Sequence, residues 1–214
     1  MKKKGLFITF EGPEGCGKTT QIKLLAAYLE EKGLKVLRTR EPGGTPIGEK
    51  IREILLNPDF KEMYPATESY LYASSRAQIV REVIKPAVDE GTTVLCDRFI
   101  DSSLVYQGAG RDLGIEKVFA INRPAVERCM PDITFVLMVH PSIGLRRAKA
   151  ESNKEGFAKG DRLEQEHMKF HLKIYEGFKK LGEFRDNIHL INGERPIEDV
   201  FSEIGTILKE KYGI

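Results

Sequence analysis

The sequence lacks the features that mark several specialised classes of protein. No apolar run approaches the roughly 18 residues that a membrane-spanning helix needs. The three cysteines, Cys16, Cys96 and Cys129, have no Cys-x-x-Cys spacing, so we expect reduced thiols rather than a disulfide framework or a zinc site. The apolar stretch behind the basic N-terminus is too short for a signal peptide. We therefore expect a cytoplasmic protein.

The sequence also lacks an excess of charge of either sign. Lys and Arg number 34 against 32 Asp and Glu, which gives a formal net charge of +2. Proteins that bind nucleic acids or membrane surfaces usually have a more uneven balance, so we expect neither partner. A length of 214 residues with 41% hydrophobic residues predicts one globular domain over residues 1–214.

Short apolar runs alternate with longer amphipathic stretches along the chain. The runs predict strands near 6–10, 34–39, 93–96, 133–139 and 188–191, and helical spacing predicts helices over 18–32, 46–57, 66–90, 115–129, 142–150, 163–181 and 196–211. Pro86 should interrupt the helix over 66–90, and the polar segment 151–162 should form a loop. The alternation predicts an α/β fold, with a five-stranded parallel sheet and helices on both faces.

The strongest motif lies between the first predicted strand and the first predicted helix. It runs Gly12-Pro13-Glu14-Gly15-Cys16-Gly17-Lys18-Thr19, followed by Thr20, and fits the P-loop pattern G-x-x-x-x-G-K-[ST]. Glycines let backbone N–H groups point at phosphate oxygens, and the following helix N-terminus adds the positive end of its dipole. Lys18 should reach the β- and γ-phosphates of a nucleotide, and the Thr19 hydroxyl can ligate Mg²⁺.

A second cluster of polar residues follows two other predicted strands. Ligands of parallel sheets bind at the carboxyl ends of strands. Asp97 is therefore suited to the Mg²⁺ site, through water, and Arg98 to a second phosphate. Residues 40–44, Arg-Glu-Pro-Gly-Gly, end at the same edge, although an ordinary strand-to-helix turn would also explain them. A P-loop alone fits a kinase, a GTPase, an ATPase or a switch; the Asn-Lys-x-Asp segment by which GTPases read guanine does not occur.

Five segments in the same order make the sequence resemble the thymidylate kinase family of the bacterial type. They are FEGPEGCGKTT (10–20), TREPGG (39–44), YASSRAQ (72–78), DRFIDSSLVYQG (97–108) and GDRLEQE (160–166). The resemblance implies a P-loop kinase that uses ATP and Mg²⁺ to phosphorylate dTMP to dTDP for dTTP biosynthesis. It also implies a homodimer, the usual state of the family.

The resemblance implies roles for the acceptor side of the site. Glu11 would lie beside the 3′-hydroxyl of the deoxyribose, and Arg52 and Arg98 would hold the acceptor phosphate. Tyr72, where the family more often has Phe, would stack on the thymine ring, which Arg76 would hydrogen-bond. Ser103 and Gln107 would read the pyrimidine edge, and Tyr106 would pack against the sugar.

The resemblance further implies a lid over ATP at residues 146–162, where six basic residues stand against three acidic ones. In the bacterial type the lid carries the arginine that stabilises the transition state, because the P-loop has none. Arg162 is our first candidate, followed by Arg147 and Arg146. Asn192-Gly193 follows the last predicted strand, where such folds often contact adenine. An ordinary turn would also explain this pair.

Catalysis would rest on Lys18, Arg98, Mg²⁺ and the lid arginine. No general base is required, because a phosphate dianion is nucleophilic at neutral pH. Two alternatives stay open. One is a kinase for another pyrimidine monophosphate, and the other is a P-loop switch whose nucleotide state recruits a protein partner.

Overall fold

One parallel sheet of five strands organises the protein. The computed structural model describes residues 4–152, 161–183 and 185–214. The strands are β1 (Phe7–Glu11), β2 (Val36–Arg40), β3 (Thr93–Asp97), β4 (Ile133–Met138) and β5 (Ile188–Asn192), in the spatial order β2-β3-β1-β4-β5. All neighbouring pairs are parallel, so the predicted α/β architecture is confirmed.

Helices connect the strands. They are α1 (Lys18–Glu31), α2 (Pro46–Leu56), α3 (Pro65–Ile79), α4 (Lys85–Asp89), α5 (Ile100–Ser103), α6 (Ile115–Val126), α7 (Pro141–Ser152), α8 (Met168–Leu181) and α9 (Ile197–Tyr212). Two π-helical segments, Val80–Ile84 and Leu104–Gly110, continue α3 and α5. Among the described residues no helix is long and apolar enough to span a membrane.

The sheet separates two hydrophobic cores. Successive strand residues point to opposite faces, so Phe7 and Ile8 belong to different cores. Side chains from α3, α6 and α8 cover the face of Phe7, and those from α1 and α9 cover the face of Ile8. Burial on both faces explains why the central strands appear in the sequence as continuous apolar runs.

The interruption expected at Pro86 is confirmed, but it begins before the proline. A proline inside a helix has no N–H to donate, and its ring clashes with the carbonyl four residues earlier. The π-helical segment Val80–Ile84 precedes it, and the Lys85 N–H bonds back to the Val80 carbonyl. The wider turn accommodates Pro86 within α4, and the helical path then ends before Gly91.

Two stretches depart from the helices expected from the sequence. The short helix α5 and its π-helical continuation were not predicted, because this segment is buried on nearly every side and shows no amphipathic period. The helix expected over 163–181 begins only at Met168, and turns precede it. Of the loop expected at 151–162, residues 153–160 lie outside the described residues.

Candidate active site

A cleft of about 750 Å³ opens at the carboxyl ends of the strands. In the strand order, β2 and β3 lie to one side of β1, and β4 and β5 lie to the other side. The connections therefore diverge next to β1, which leaves a crevice at the carboxyl ends of the strands. The P-loop lines the crevice together with residues that follow β2 and β3 and residues of α5 and α7. The motifs found in the sequence therefore open onto one space.

Glycines set the path of the P-loop. Gly12, Gly15 and Gly17 all have positive φ, between 63° and 130°, a region that other residues rarely adopt. The loop also packs closely on α7: a Cβ on Gly15 would lie 2.0 Å from the Gly144 carbonyl oxygen, and a Cβ on Gly144 would lie 2.2 Å from the Glu14 carbonyl oxygen. The absence of a side chain at Gly15 and Gly144 thus lets the P-loop pack closely against α7, the helix in which the expected lid begins.

Lys18 and Thr19 lie where the P-loop enters α1. The Lys18 ammonium is buried and contacts the loop's own carbonyls, 3.2 Å from Pro13 and 3.5 Å from Gly12. The Thr19 hydroxyl donates to Asp97 Oδ2 at 3.0 Å, and so the P-loop and the end of β3 meet. The two residues predicted to form the metal site are therefore neighbours.

Arg98 bridges β3 and the P-loop. Its Nη1 donates to the Gly12 carbonyl at 3.0 Å and to Ser102 Oγ at 3.1 Å, and its Nη2 lies 3.2 Å from Glu14 Oε1. The backbone of Arg98 has a φ of 67°, an unfavourable value for a non-glycine residue that a close-fitting environment must maintain. Its guanidinium also lies over the Tyr106 ring, 5.0 Å from the centroid.

Glu14 is a mostly buried carboxylate in the P-loop, at the edge of the cleft. Burial by itself would raise its pKa, but the imidazole of His171, the Arg98 charge and the Tyr106 hydroxyl together lower the pKa to about 2. Tyr106 donates to Glu14 Oε1 at 2.5 Å, and His171 Nδ1 lies 3.6 Å from Oε2. Glu14 is therefore an anion held among several donors.

The residues expected to contact the base and the sugar of the acceptor fall into two groups. Tyr72, Ser103, Tyr106 and Gln107 line the cleft. Arg76 lies beneath them and is 1% exposed. Its Nη1 donates to Ser103 Oγ at 3.0 Å and to Asn122 Oδ1, and its Nη2 donates to the Phe99 carbonyl at 3.0 Å.

Glu41 completes the surroundings of Arg76. Its Oε2 lies 2.6 Å from Arg76 Nη2 and accepts from Nε at 2.8 Å, and both side chains are buried. Burial raises the pKa of Glu41 to about 7, and the Arg76 charge only partly opposes that rise. Arg76 is thus held on several sides. Its partners are Glu41 after β2, Ser103 of α5 and Asn122 of α6.

Glu11 lies below the floor of the cleft. It is fully buried, and its Oε1 accepts from the Phe99 N–H at 2.8 Å and the Ser102 N–H at 3.2 Å. Its Oε2 accepts from Ser102 Oγ at 2.5 Å. Burial, reinforced by the charge of Asp101, raises the pKa of Glu11 to about 8. The carboxyl group binds the start of α5, and its expected role at the sugar stays a prediction.

Two arginines lie beside the cleft on the side of α2. Arg52 Nη1 donates to the Pro42 carbonyl at 3.0 Å, and burial and the neighbouring charge of Arg40 lower its pKa. Arg40 forms a bidentate pair with Glu49, at 3.0 and 2.9 Å. Both arginines line the cleft, next to the residues expected to meet the acceptor phosphate.

The lid arginines lie in different surroundings. Arg147 lines the cleft and donates to the Gly193 carbonyl at 3.1 Å, and Arg146 is exposed on α7. Arg162 is buried away from the cleft lining, where Nε donates to the Leu55 carbonyl at 2.9 Å and Nη2 lies 2.6 Å from Glu68 Oε2. Residues 153–160 of the expected lid lie outside the described residues.

Several residues of the site had no role in the sequence analysis. Ser102, Glu41 and Asn122 contact Glu11, Arg98 or Arg76, and His171 faces Glu14. Ser102 and Glu41 lie inside the segments 97–108 and 39–44, so the motifs contained a signal for them. Asn122 and His171 lie on amphipathic helices, and nothing in their local sequence distinguishes them from ordinary helical residues.

Comparison with known proteins agrees with the motifs. A family model described as thymidylate kinase matches residues 10–204. A thymidylate kinase of Lactobacillus acidophilus is 50% identical over 210 residues, which cover 97% of this chain and 95% of the relative. Thymidylate kinases of Bacillus cereus and Bacillus anthracis are 47% and 46% identical over 209 residues, which cover 97% of this chain and 99% of each relative. The chain therefore belongs to the thymidylate kinase family.

Proposed function

We propose that this chain transfers the terminal phosphate of ATP to dTMP and so forms dTDP, a step in the supply of dTTP. Family membership supports this function. The observation that carries it is a cleft that the P-loop lines together with Arg98, the aromatic side chain of Tyr72 and the polar side chain of Gln107. A donor phosphate on the P-loop and an acceptor nucleotide against α3 and α5 would then share one space.

The donor set at Thr19 and Asp97 fits Mg²⁺. A hydroxyl and a carboxylate oxygen 3.0 Å apart are ligand types that this hard cation prefers. Thr19 would bind the ion directly, and Asp97 would bind it through water. When bound, Mg²⁺ supplies neutralisation of the charge on the β- and γ-phosphates.

Lys18 and Arg98 would neutralise the remaining charge of the reacting phosphates. Lys18 contacts only carbonyls and the Cys16 sulfur among the described residues, and phosphate oxygens are stronger partners for an ammonium group. Arg98 likewise would exchange Glu14 for the acceptor phosphate. The acceptor is already an anionic nucleophile, so these residues would act by alignment and charge stabilisation rather than by removing a proton.

Arg147 is the better supported candidate for the lid arginine. It is exposed on α7 and lines the cleft, so its guanidinium can move to a phosphate in the cleft at little cost. Arg162 would first have to leave a buried ion pair with Glu68. Arg147→Ala should lower kcat about a thousandfold, whereas Arg162→Ala should act mainly on stability. A larger kcat loss in Arg162→Ala would restore Arg162 as the first candidate.

A homodimer is part of the proposal. Tyr70 on α3 and Ile115 and Phe119 on α6 are exposed apolar or aromatic side chains on two helices that pack together. Such a surface is typical of an interface between subunits. Light scattering of the purified chain should give twice the 24.2 kDa mass of the chain. A monomer mass would overturn the dimer.

A panel of acceptors tests the function. ADP release from ATP and Mg²⁺ is measured with dTMP, dUMP, dCMP, dGMP, UMP, CMP and AMP added separately. We expect strong stimulation by dTMP and weak stimulation by the others. Stimulation by another pyrimidine monophosphate would keep the mechanism and overturn the roles of Tyr72, Arg76, Ser103 and Gln107. No stimulation by any acceptor would favour the P-loop switch.

A further inference from the structure

The side-chain amide of Gln107 has a fixed orientation in the cleft. Its Nε2 donates to Oε1 of Glu68 at 2.8 Å, and both side chains are buried. A carboxylate has no hydrogen to donate, so the amide nitrogen must be the atom that faces Glu68. No group in the described part of the chain donates to the amide oxygen. The oxygen is therefore the atom that Gln107 presents to the cleft it lines.

Two arginines hold the carboxylate of Glu68 in this position. Its Oε2 lies 2.6 Å from Arg162 Nη2 and accepts from Arg111 Nη2 at 3.2 Å. Arg111 Nε also donates, at 3.3 Å, to Oε1, the oxygen that binds Gln107. Glu68 is 0% exposed, so the carboxylate has no water to replace these partners. Glu68 is thus a fixed, negatively charged hydrogen-bond acceptor behind Gln107.

Ser103, four residues before Gln107, is oriented in a similar way. Its Oγ accepts from Arg76 Nη1 at 3.0 Å, and a guanidinium can only donate. The hydroxyl hydrogen of Ser103 is therefore available to a ligand in the cleft, which this residue also lines. Together the two side chains present a hydrogen-bond acceptor, from Gln107, and a hydrogen-bond donor, from Ser103.

This arrangement matches one class of pyrimidine. Thymine and uracil have a hydrogen on ring nitrogen N3 and a carbonyl at C4, whereas cytosine has no hydrogen on N3 and an amino group at C4. We propose that Glu68 is a positioning residue, which fixes the Gln107 amide oxygen toward the base, so that the site selects a pyrimidine with an N3–H group and rejects cytosine. This inference rests on the proposed function, in which a pyrimidine nucleotide binds against α3 and α5.

Glu68→Gln tests this role, because it removes the charge and keeps the shape of the side chain. An amide has a single oxygen, and the two arginines that face Oε2 would attract that oxygen. The amide nitrogen introduced at position 68 would then face Gln107. To accept from it, Gln107 must turn its own oxygen away from the cleft, and its nitrogen would face the base instead.

The measured quantity is the ratio of the dissociation constant for dCMP to that for dUMP, each determined by competition against dTMP. These nucleotides differ only at N3 and C4 of the base, so the ratio does not depend on contacts to the sugar or the phosphate. We expect the parent to bind dUMP about a hundredfold more tightly, because cytosine leaves buried polar groups unpaired. In Glu68→Gln the ratio should fall about tenfold or more. A purely structural role of Glu68 would weaken both nucleotides equally and leave the ratio unchanged.

Glu166→Gln is the matched control. Glu166 Oε1 lies 2.5 Å from Arg111 Nη1, so this substitution disturbs the same group of ion pairs without removing a partner of Gln107. The ratio should stay at the parent value. If Glu68→Gln does not fold, Glu68→Asp replaces it, because the shorter side chain keeps a charge beside the arginines and withdraws its oxygen from Gln107. Thermal unfolding reports on the fold of each variant.

A double-mutant cycle with Gln107→Leu tests whether Glu68 acts through the amide. Leucine has no oxygen to orient, so Glu68→Gln should change the ratio less than about twofold in the Gln107→Leu background. An undiminished change there would overturn the proposal, and so would an unchanged ratio in Glu68→Gln alone. Equal affinities of the parent for dUMP and dCMP would overturn it while leaving the kinase function intact. Failure of the parent to bind dTMP would instead defeat the proposed function, and this inference with it.

Discussion

The two sides of the cleft are built from different parts of the polypeptide. The nucleotide side is mainly backbone: Gly12, Gly15 and Gly17 direct the loop, and Lys18 contacts main-chain carbonyls. The acceptor side is built mainly from side chains. Arg76, for example, contacts the side chains of Glu41, Ser103 and Asn122. A backbone site depends on a few consecutive residues. A side-chain site depends on partners far apart in the chain, and it should therefore respond differently to substitution.

The largest expected effect is on the acceptor side, where Arg98→Ala removes the cation that would hold the acceptor phosphate. We expect kcat to fall about a thousandfold or more, which is typical for loss of an arginine that stabilises a transferred phosphoryl group. The dissociation constant for ATP should stay within about threefold, because the backbone of the P-loop remains. Steady-state kinetics and calorimetry provide the two measurements.

Arg81→Ala is the control for Arg98→Ala. Arg81 is an exposed arginine whose ion partner is Glu127, outside the cleft. Its removal should leave kcat unchanged. Unchanged turnover in Arg98→Ala would refute the assigned role, and equal losses of ATP binding and turnover would mean that Arg98 mainly supports the P-loop.

The buried ion pair of the acceptor side should account for the largest effect on stability. Glu41→Ala leaves the Arg76 guanidinium buried without its carboxylate, and breaking such a pair typically costs about 3 to 5 kcal/mol. Glu53→Ala is the control, because the Lys50–Glu53 pair on α2 is exposed and surface pairs contribute about 0 to 1 kcal/mol. Urea unfolding measures both. Equal losses would mean that another group or water compensates Arg76.

The contrast between the two sides also explains how much the sequence could predict. The P-loop was identifiable because its glycines, lysine and threonine are consecutive, and the end of β3 was identifiable because Asp97 and Arg98 follow an apolar run. The strands of the sheet and most of the helices were predictable from the spacing of hydrophobic residues along the chain. Asn122 and His171 could not be found in this way, because they meet Arg76 and Glu14 only through the packing of α6 and α8.

The nucleotide side should respond to steric change in the backbone. Gly15→Ala would place a Cβ 2.0 Å from the Gly144 carbonyl oxygen, at a φ of 63°, so the loop or α7 must shift. A displacement of about 1 Å in a positioning element can cost about a hundredfold, and we expect ATP affinity and kcat/KM to fall by that amount. Nucleotide titration and steady-state kinetics measure the two quantities.

Gly205→Ala on α9 is the control for Gly15→Ala. A Cβ there has no neighbour within 4 Å, so the substitution should leave activity unchanged and add about 0.5 to 1 kcal/mol of stability through helix propensity. Tolerance of alanine at Gly15 would show that the close contact with Gly144 does not fix the loop.

Glu11, at the end of β1, is a side chain that holds backbone, and its expected effect appears only in the pH dependence of stability. Its pKa rises from 4.5 to about 8 in the folded protein, mainly through burial. The folded state therefore keeps a proton that the unfolded state loses above pH 4.5. The stabilisation is complete below pH 4.5 and is lost as the pH rises through 8, with a slope of up to about 1.4 kcal/mol per pH unit.

Glu11→Gln removes this proton linkage while keeping an acceptor for the Phe99 N–H and a polar partner for Ser102. The unfolding free energy of the variant, minus that of the parent, should therefore increase between about pH 5 and pH 8. Glu41, with a pKa raised by burial to about 7, contributes in the same direction but equally to both proteins, so the difference isolates Glu11. Parallel curves would mean that Glu11 is ionised in the folded state. The start of α5 would then be held by a charge rather than by a neutral acid.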